Sequence, residues 1–257
     1  MSVPLFRAEA VSKHFGGLKA LEEVDLAVER GTIHSVIGPN GAGKTTFFNC
    51  ITGIHPPTSG RIHLADRDIT GLPAHRVTRL GLARTFQNIR IFKQMTTLEN
   101  VMVGRHPRTR AGWFRAILRL PAAREEREIR ERARSILEFV GLGSVADFGA
   151  DTLPYGHQRR LEIARAMATD PQILLLDEPA AGMNPEETSQ LMDLIREIRG
   201  QGLTVVLIEH DMKVVMGVSD RVTVIDYGEK IAEGSPAEVK ANAKVIAAYL
   251  GVPEEVE

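Results

Sequence analysis

The sequence predicts an α/β protein with a mainly parallel core sheet, an antiparallel β subdomain near the N-terminus and a helical insertion. Three observations carry that expectation. GPNGAGKTT at 38–46 lies between a β-branched run, IHSVI at 33–37, and a helix-compatible run, FFNCI at 47–51, giving strand, glycine-rich loop and helix in order. Strongly apolar runs of strand length at 173–176, 204–208 and 222–225 alternate with helical patterns, as strands covered on both faces of a parallel sheet do. Short alternating runs at 5–8, 24–28 and 61–64, broken by Gly16-Gly17, Gly31 and Pro56-Pro57, read instead as antiparallel strands.

Beyond the N-terminal strands, residues 71–84 carry a helical pattern. The next stretch is distinct: ten arginines fall between Arg105 and Arg134, around an apolar set of Trp113, Phe114, Ile117 and Leu118. Glu125, Glu126, Glu128 and Glu131 interleave with the later arginines, which marks a solvated helical face rather than a nucleic-acid patch. Helices are expected at 161–168, 186–199 and 212–218, a hairpin at Tyr227-Gly228-Glu229, and a closing helix over 239–249. With no internal repeat or low-complexity linker, 1–257 reads as one nucleotide-binding domain whose helical subdomain covers about 87–170.

Composition narrows the possibilities. Across 257 residues the chain is 43% hydrophobic and 25% charged, ordinary for a globular protein, and its net charge of −1 gives no reason to expect nucleic acid as a partner. Its single cysteine, Cys50, rules out a disulfide framework within the chain and reads as a small core residue. Met1-Ser2-Val3-Pro4 shows no basic segment leading into an apolar one, so no signal peptide is expected, and no run approaches the ~20 apolar residues of a membrane span. Any membrane role must therefore come through a partner.

The glycine loop carries the first piece of chemistry. Gly38, Gly41 and Gly43 let successive N–H groups of the loop, with Asn40 and Ala42 between them, face one anion, and the helix that follows adds its positive end. Lys44 is placed to reach β- and γ-phosphates, Thr45 to ligate Mg²⁺, and Thr46 to line the same loop. A phosphate loop needs a carboxylate for its metal, and Ile173-Leu174-Leu175-Leu176-Asp177-Glu178 supplies one. Asp177 would hold Mg²⁺ mostly through water, and Glu178 could polarise the attacking water.

Upstream of that strand, Leu153-Pro154-Tyr155-Gly156-His157-Gln158 resembles the signature of ABC transporter ATP-binding subunits, and the resemblance extends over essentially the whole chain. It implies that ATP is sandwiched between the phosphate loop of one subunit and the signature of another, so that Pro154, Tyr155, Gly156 and His157 would complete a partner's site. It further implies that Phe15 stacks on adenine, that Gln87 reaches the metal and the water, and that His210 contacts the γ-phosphate. Three positions depart from the family pattern: Pro154 replaces a serine, His157 a glutamine and Asn184 an aspartate. Proline removes a hydroxyl and an N–H but suits a helix start, and His157 adds a group able to charge between pH 5 and 8.

A narrower resemblance rests on Gly16-Gly17-Leu18-Lys19-Ala20-Leu21, Arg84-Thr85-Phe86-Gln87, the stretch from Leu174 to Pro185, and Ile208-Glu209-His210-Asp211-Met212. These are similar to the longer of the two ATPases of branched-chain amino acid importers. The implied partners are two transmembrane permeases, a second ABC ATPase or a second copy of this chain, and an extracytoplasmic solute-binding protein. The implied location is peripheral, on the cytoplasmic face of the inner or plasma membrane. Phe92, Met95, Leu98 and Val101 follow Gln87 at near-helical spacing, as candidates for an apolar permease-docking groove or for the subdomain core. Two other readings compete: a soluble ABC-type ATPase acting on nucleic acid or the ribosome, and an unrelated phosphate-loop kinase. One phosphate loop, one signature and no sustained heptads favour transport over the first, and the kinase has no use for the signature.

Overall fold

A computed structural model describes residues 4–105 and 122–250. The apolar set at 113–118 lies outside them. A four-stranded antiparallel sheet contains β1 (Phe6–Phe15), β2 (Leu18–Val28), β4 (Ser59–Leu64) and β5 (Arg67–Asp68), in the order β2-β1-β4-β5. The six-stranded sheet contains β3 (Ile33–Ile37), β6 (Leu82–Arg84), β7 (Ile173–Asp177), β8 (Thr204–Ile208), β9 (Arg221–Asp226) and β10 (Glu229–Gly234). Its order is β10-β9-β3-β8-β7-β6, parallel except for the β9–β10 hairpin.

Every residue of β3, β7 and β8 is buried, and successive side chains enter different cores, as the two-residue period of a strand requires. Ile173, Leu175, Val206 and Ile208 pack with Phe47, Phe48 and Ile51 of α1 (Lys44–Ile51), against the antiparallel sheet. Leu174, Leu176, Val205 and Leu207 face the opposite way. They meet α5 (Tyr155–Met167), α6 (Pro185–Gly200) and α7 (Met212–Val218), while Leu98 of α3 (Thr97–Arg105) and Leu137 of α4 (Ala122–Phe139) join the same core. Cys50 is buried, as expected.

Three local expectations need correction. Residues 71–84 are not one helix: α2 (Ala74–Leu80) stops at Gly81, whose φ of 109° ends it, and β6 then pairs with β7 as the sheet edge. The helix expected at 161–168 begins at Tyr155, because extended Pro154 serves as its N-cap and Gln158 donates its N–H to the Pro154 carbonyl. The closing helix is two, α8 (Pro236–Ala241) and α9 (Ala243–Leu250). Asn242 between them is extended, and its Oδ1 accepts the Lys244 N–H at 2.9 Å to start the second.

Candidate active site

Parallel pairing puts Val36 and Asp177 on either side of Ile208, so the loops after β3, β8 and β7 leave the sheet side by side at its carboxyl end. A cleft of ≈ 500 Å³ opens there. Phe15, Asn40, Gly41, Ala42, Gly43, Lys44, Thr45, Thr46, Gln87 and Glu178 line it, joined by Leu18 and Tyr227, which the sequence reading did not single out.

The phosphate loop is threaded where only glycine fits. At Gly38, φ is 154° and a Cβ would lie 1.9 Å from the Ile225 carbonyl oxygen; at Gly43, φ is 100° and a Cβ would lie 2.6 Å from that of Ala20. The hairpin tip braces the loop, Gly228 donating its N–H to the Ala42 carbonyl at 3.0 Å. Lys44 Nζ donates to the carbonyls of Gly38 and Pro39 at 2.7 and 2.8 Å. Burial lowers its pKa, while the Glu178 and Asp177 carboxylates favour the charged form. Phe15 is half-exposed at the mouth, edge-on to His55 and with the Lys13 ammonium 5.0 Å from its ring centre.

Asp177 is buried beneath the cleft, and Arg84 Nη2 donates to its Oδ2 at 2.7 Å. Arg84 Nη1 reaches Asn49 Oδ1 at 2.8 Å, and its guanidinium stands near the rings of Phe48 and Phe86. One cation thus joins the Asp177 carboxylate to the helix behind the phosphate loop. Glu178 follows in the left-handed region, φ 44°, its N–H donated to the Ile208 carbonyl. Gln87 Nε2 donates to Glu178 Oε2 at 2.8 Å, and His210 Nδ1 is 3.8 Å from the same oxygen. Behind His210, Glu209 is buried: its Oε1 accepts the Ala180 N–H at 2.9 Å and its Oε2 that of His210 at 3.2 Å. Burial raises the Glu209 pKa, and these N–H groups oppose the rise.

Pro154, Tyr155, Gly156 and His157 do not line the cleft. Tyr155 turns toward the loop after Glu178, its hydroxyl donating to the Ala181 carbonyl at 2.9 Å. Asn184, where the family pattern has aspartate, is the N-cap of α6 in a capping box with Glu187. Arg84 and Glu209, which pack directly behind Asp177 and His210, were not singled out from the sequence, because a sequence shows charge but not its burial. A second groove of ≈ 630 Å³ has Phe86, Ile91 and Phe92 on its walls with Arg90 and Arg165 among them. Of the docking candidates, Phe92 and Met95 are exposed, whereas Leu98 and Val101 are core.

Residues 21–181 match the family model of the ABC transporter, and 229–255 match that of the branched-chain amino acid ATP-binding cassette transporter. The chain is 50% identical over 253 residues to the high-affinity branched-chain amino acid transport ATP-binding protein BraF of Pseudomonas aeruginosa, covering 98% of this chain and 99% of that one. It is 49% identical to LivG of Escherichia coli, a protein of the same description, with the same coverage. Among solved structures, an ATP-binding cassette of an ABC transporter in its ADP conformation superposes with TM-score 0.86 at 33% identity, covering 97% of this chain and 100% of that chain. A dimeric cassette in a post-hydrolysis state bound to ADP and Pi gives 0.76 at 27%, covering 90% and 98%.

Proposed function

The chain belongs to the ABC transporter family of ATP-binding subunits, and on that premise we propose that it hydrolyses ATP to power a branched-chain amino acid importer. The observation that carries the reading at the site is the convergence of the phosphate loop, Gln87 and Glu178 on one cleft.

In this reading Phe15 stacks on the base, the N–H groups of 38–46 surround the phosphates, and Lys44 turns from its own loop carbonyls to β- and γ-oxygens. Thr45, Asp177 and Gln87 offer hydroxyl, carboxylate and amide oxygens, a hard donor set that fits Mg²⁺. When bound, Mg²⁺ supplies neutralisation of charge on the phosphate oxygens. Glu178 orients a water and takes its proton as the water oxygen bonds to the γ-phosphorus and the bond to ADP breaks. Gln87 holds Glu178 by the hydrogen bond already described, and His210 beside it contacts the γ-phosphate.

The signature residues 154–157 face a partner ATPase, so that ATP closes a dimer and hydrolysis reopens it. That partner is a second, different ATPase or another copy of this chain. The groove beside Gln87 receives a permease segment, and two permeases and an extracytoplasmic binding protein complete the importer. Among the described residues no helix is long and apolar enough to cross a membrane. In the same reading the chain takes a peripheral place on the cytoplasmic face through its permease partners, as one nucleotide-binding domain with its helical subdomain at about 87–170.

Reconstitution with the two permeases, the second ATPase and the binding protein in vesicles tests the reading. ATP should drive uptake of branched-chain amino acids, and Lys44→Ala should abolish both tight ATP binding and uptake. Unchanged ATP affinity in Lys44→Ala would mean that this loop is not the nucleotide site.

A further inference from the structure

Arg159 and Glu162 lie one turn apart on α5, their side chains 0% and 1% exposed, with Arg159 Nη1 donating to Glu162 Oε2 at 3.0 Å. A buried pair of this kind roughly breaks even against apolar residues of the same volume, so stability alone does not explain it. Apart from a 3.5 Å contact from Arg159 Nη2 to the Tyr155 hydroxyl, its remaining hydrogen bonds run to one segment. Arg159 Nη1 donates to the Phe86 carbonyl at 2.8 Å and Nη2 to the Gln87 carbonyl at 2.9 Å. Glu162 Oε1 accepts the N–H groups of Phe86 and Arg90 at 3.3 and 3.4 Å. The backbone on both sides of Gln87 is therefore held by one helix, and Gln87 in turn holds Glu178 Oε2 at 2.8 Å.

We propose that Arg159 and Glu162 are the positioning pair that sets the Gln87 side chain on Glu178. The planar guanidinium suits this task because its fork spans two successive carbonyls while still facing Glu162. Lysine carries the charge but has no fork. The inference rests on Glu178 acting as the general base.

The test is steady-state ATP hydrolysis by the reconstituted transporter with Mg²⁺, comparing wild type, Arg159→Lys, Glu162→Gln and Glu178→Gln of this chain, with thermal unfolding of the purified chain followed in parallel. Because the nucleotide is held by other residues, Arg159→Lys should lower kcat about tenfold, the lower end for loss of a supporting partner, while KM for ATP stays within about twofold. A folded Arg159→Lys with wild-type kcat overturns the proposal, as does a fall in kcat matched by an equal rise in KM, which marks general loosening. Should Arg159→Lys fail to fold, Glu162→Gln, which keeps shape and an acceptor oxygen, is judged by the same two numbers. Near-normal turnover in Glu178→Gln would instead remove the reading on which the pair's role depends.

Discussion

Glu178 is held in a backbone conformation that costs a residue with a β-carbon on the order of 1–2 kcal/mol. Strain of that kind persists only where neighbours fix it, and here the Ile208 carbonyl takes the Glu178 N–H while Gln87 takes its carboxylate. Glutamine at this position keeps the shape and tolerates the same backbone, but it cannot accept a proton. Glu178→Gln should therefore bind ATP normally and unfold at the wild-type temperature, while turnover falls by about two orders of magnitude or more. Near-normal turnover in the assembled transporter would take Glu178 out of the mechanism. Asp177 differs in kind: it is buried and clamped by Arg84, so it can act only where the fold holds it.

β3 delivers the phosphate loop, yet it carries a buried imidazole, His34, whose Nε2 lies 2.8 Å from Thr223 Oγ1 on β9. Burial lowers the His34 pKa to about 4, against an ordinary value of 6.5. Between those values the unfolded chain takes up a proton that the folded chain refuses, so stability is fully present above pH 6.5 and is lost as pH falls toward 4. The loss amounts to about 3 kcal/mol. Urea unfolding at stepped pH should show that slope in wild type and a flatter one in His34→Gln; parallel curves would exclude His34 as its source. The strands themselves were legible because β7 and β8 are apolar on both faces, a pattern that survives without knowledge of tertiary structure. β6 was not: three residues after a helix carry no periodicity, and what makes them a strand is the exposed edge of β7. Asn242 was misread for a related reason, since a polar residue within an apolar period looks like the outer face of a helix until its side chain is seen capping the next one. The phosphate-loop residues and Glu178 lie in contiguous motifs and could be read directly, Phe15 and Gln87 only through the family resemblance, and Leu18 and Tyr227 not at all, whereas Arg84 and Glu209 reach partners far away in sequence.

An ATPase that drives a membrane partner must combine a folded interior with a surface that stays open until assembly. The apolar residues after Gln87 divide between those needs. Leu98 and Val101 are sealed among α3, α4 and α5, and a charge at either would be buried without a partner. Phe92 is 45% exposed on the wall of the groove that also holds Phe86 and Ile91, with the Arg165 guanidinium 5.4 Å from its ring centre. A groove lined by apolar side chains with Arg90 and Arg165 among them suits a short amphipathic permease helix carrying acidic residues. Phe92→Asp should leave the isolated chain folded and ATP-binding while blocking co-purification with the permeases. Leu98→Asp should instead lower the unfolding temperature sharply or prevent folding, by several kcal/mol for an unpaired buried charge. Full assembly and uptake with Phe92→Asp would show that the permease docks elsewhere. Unfolding of Phe92→Asp to the same degree as Leu98→Asp would make the groove wall part of the core, and the docking surface would have to be sought among the residues that remain exposed beyond Met95.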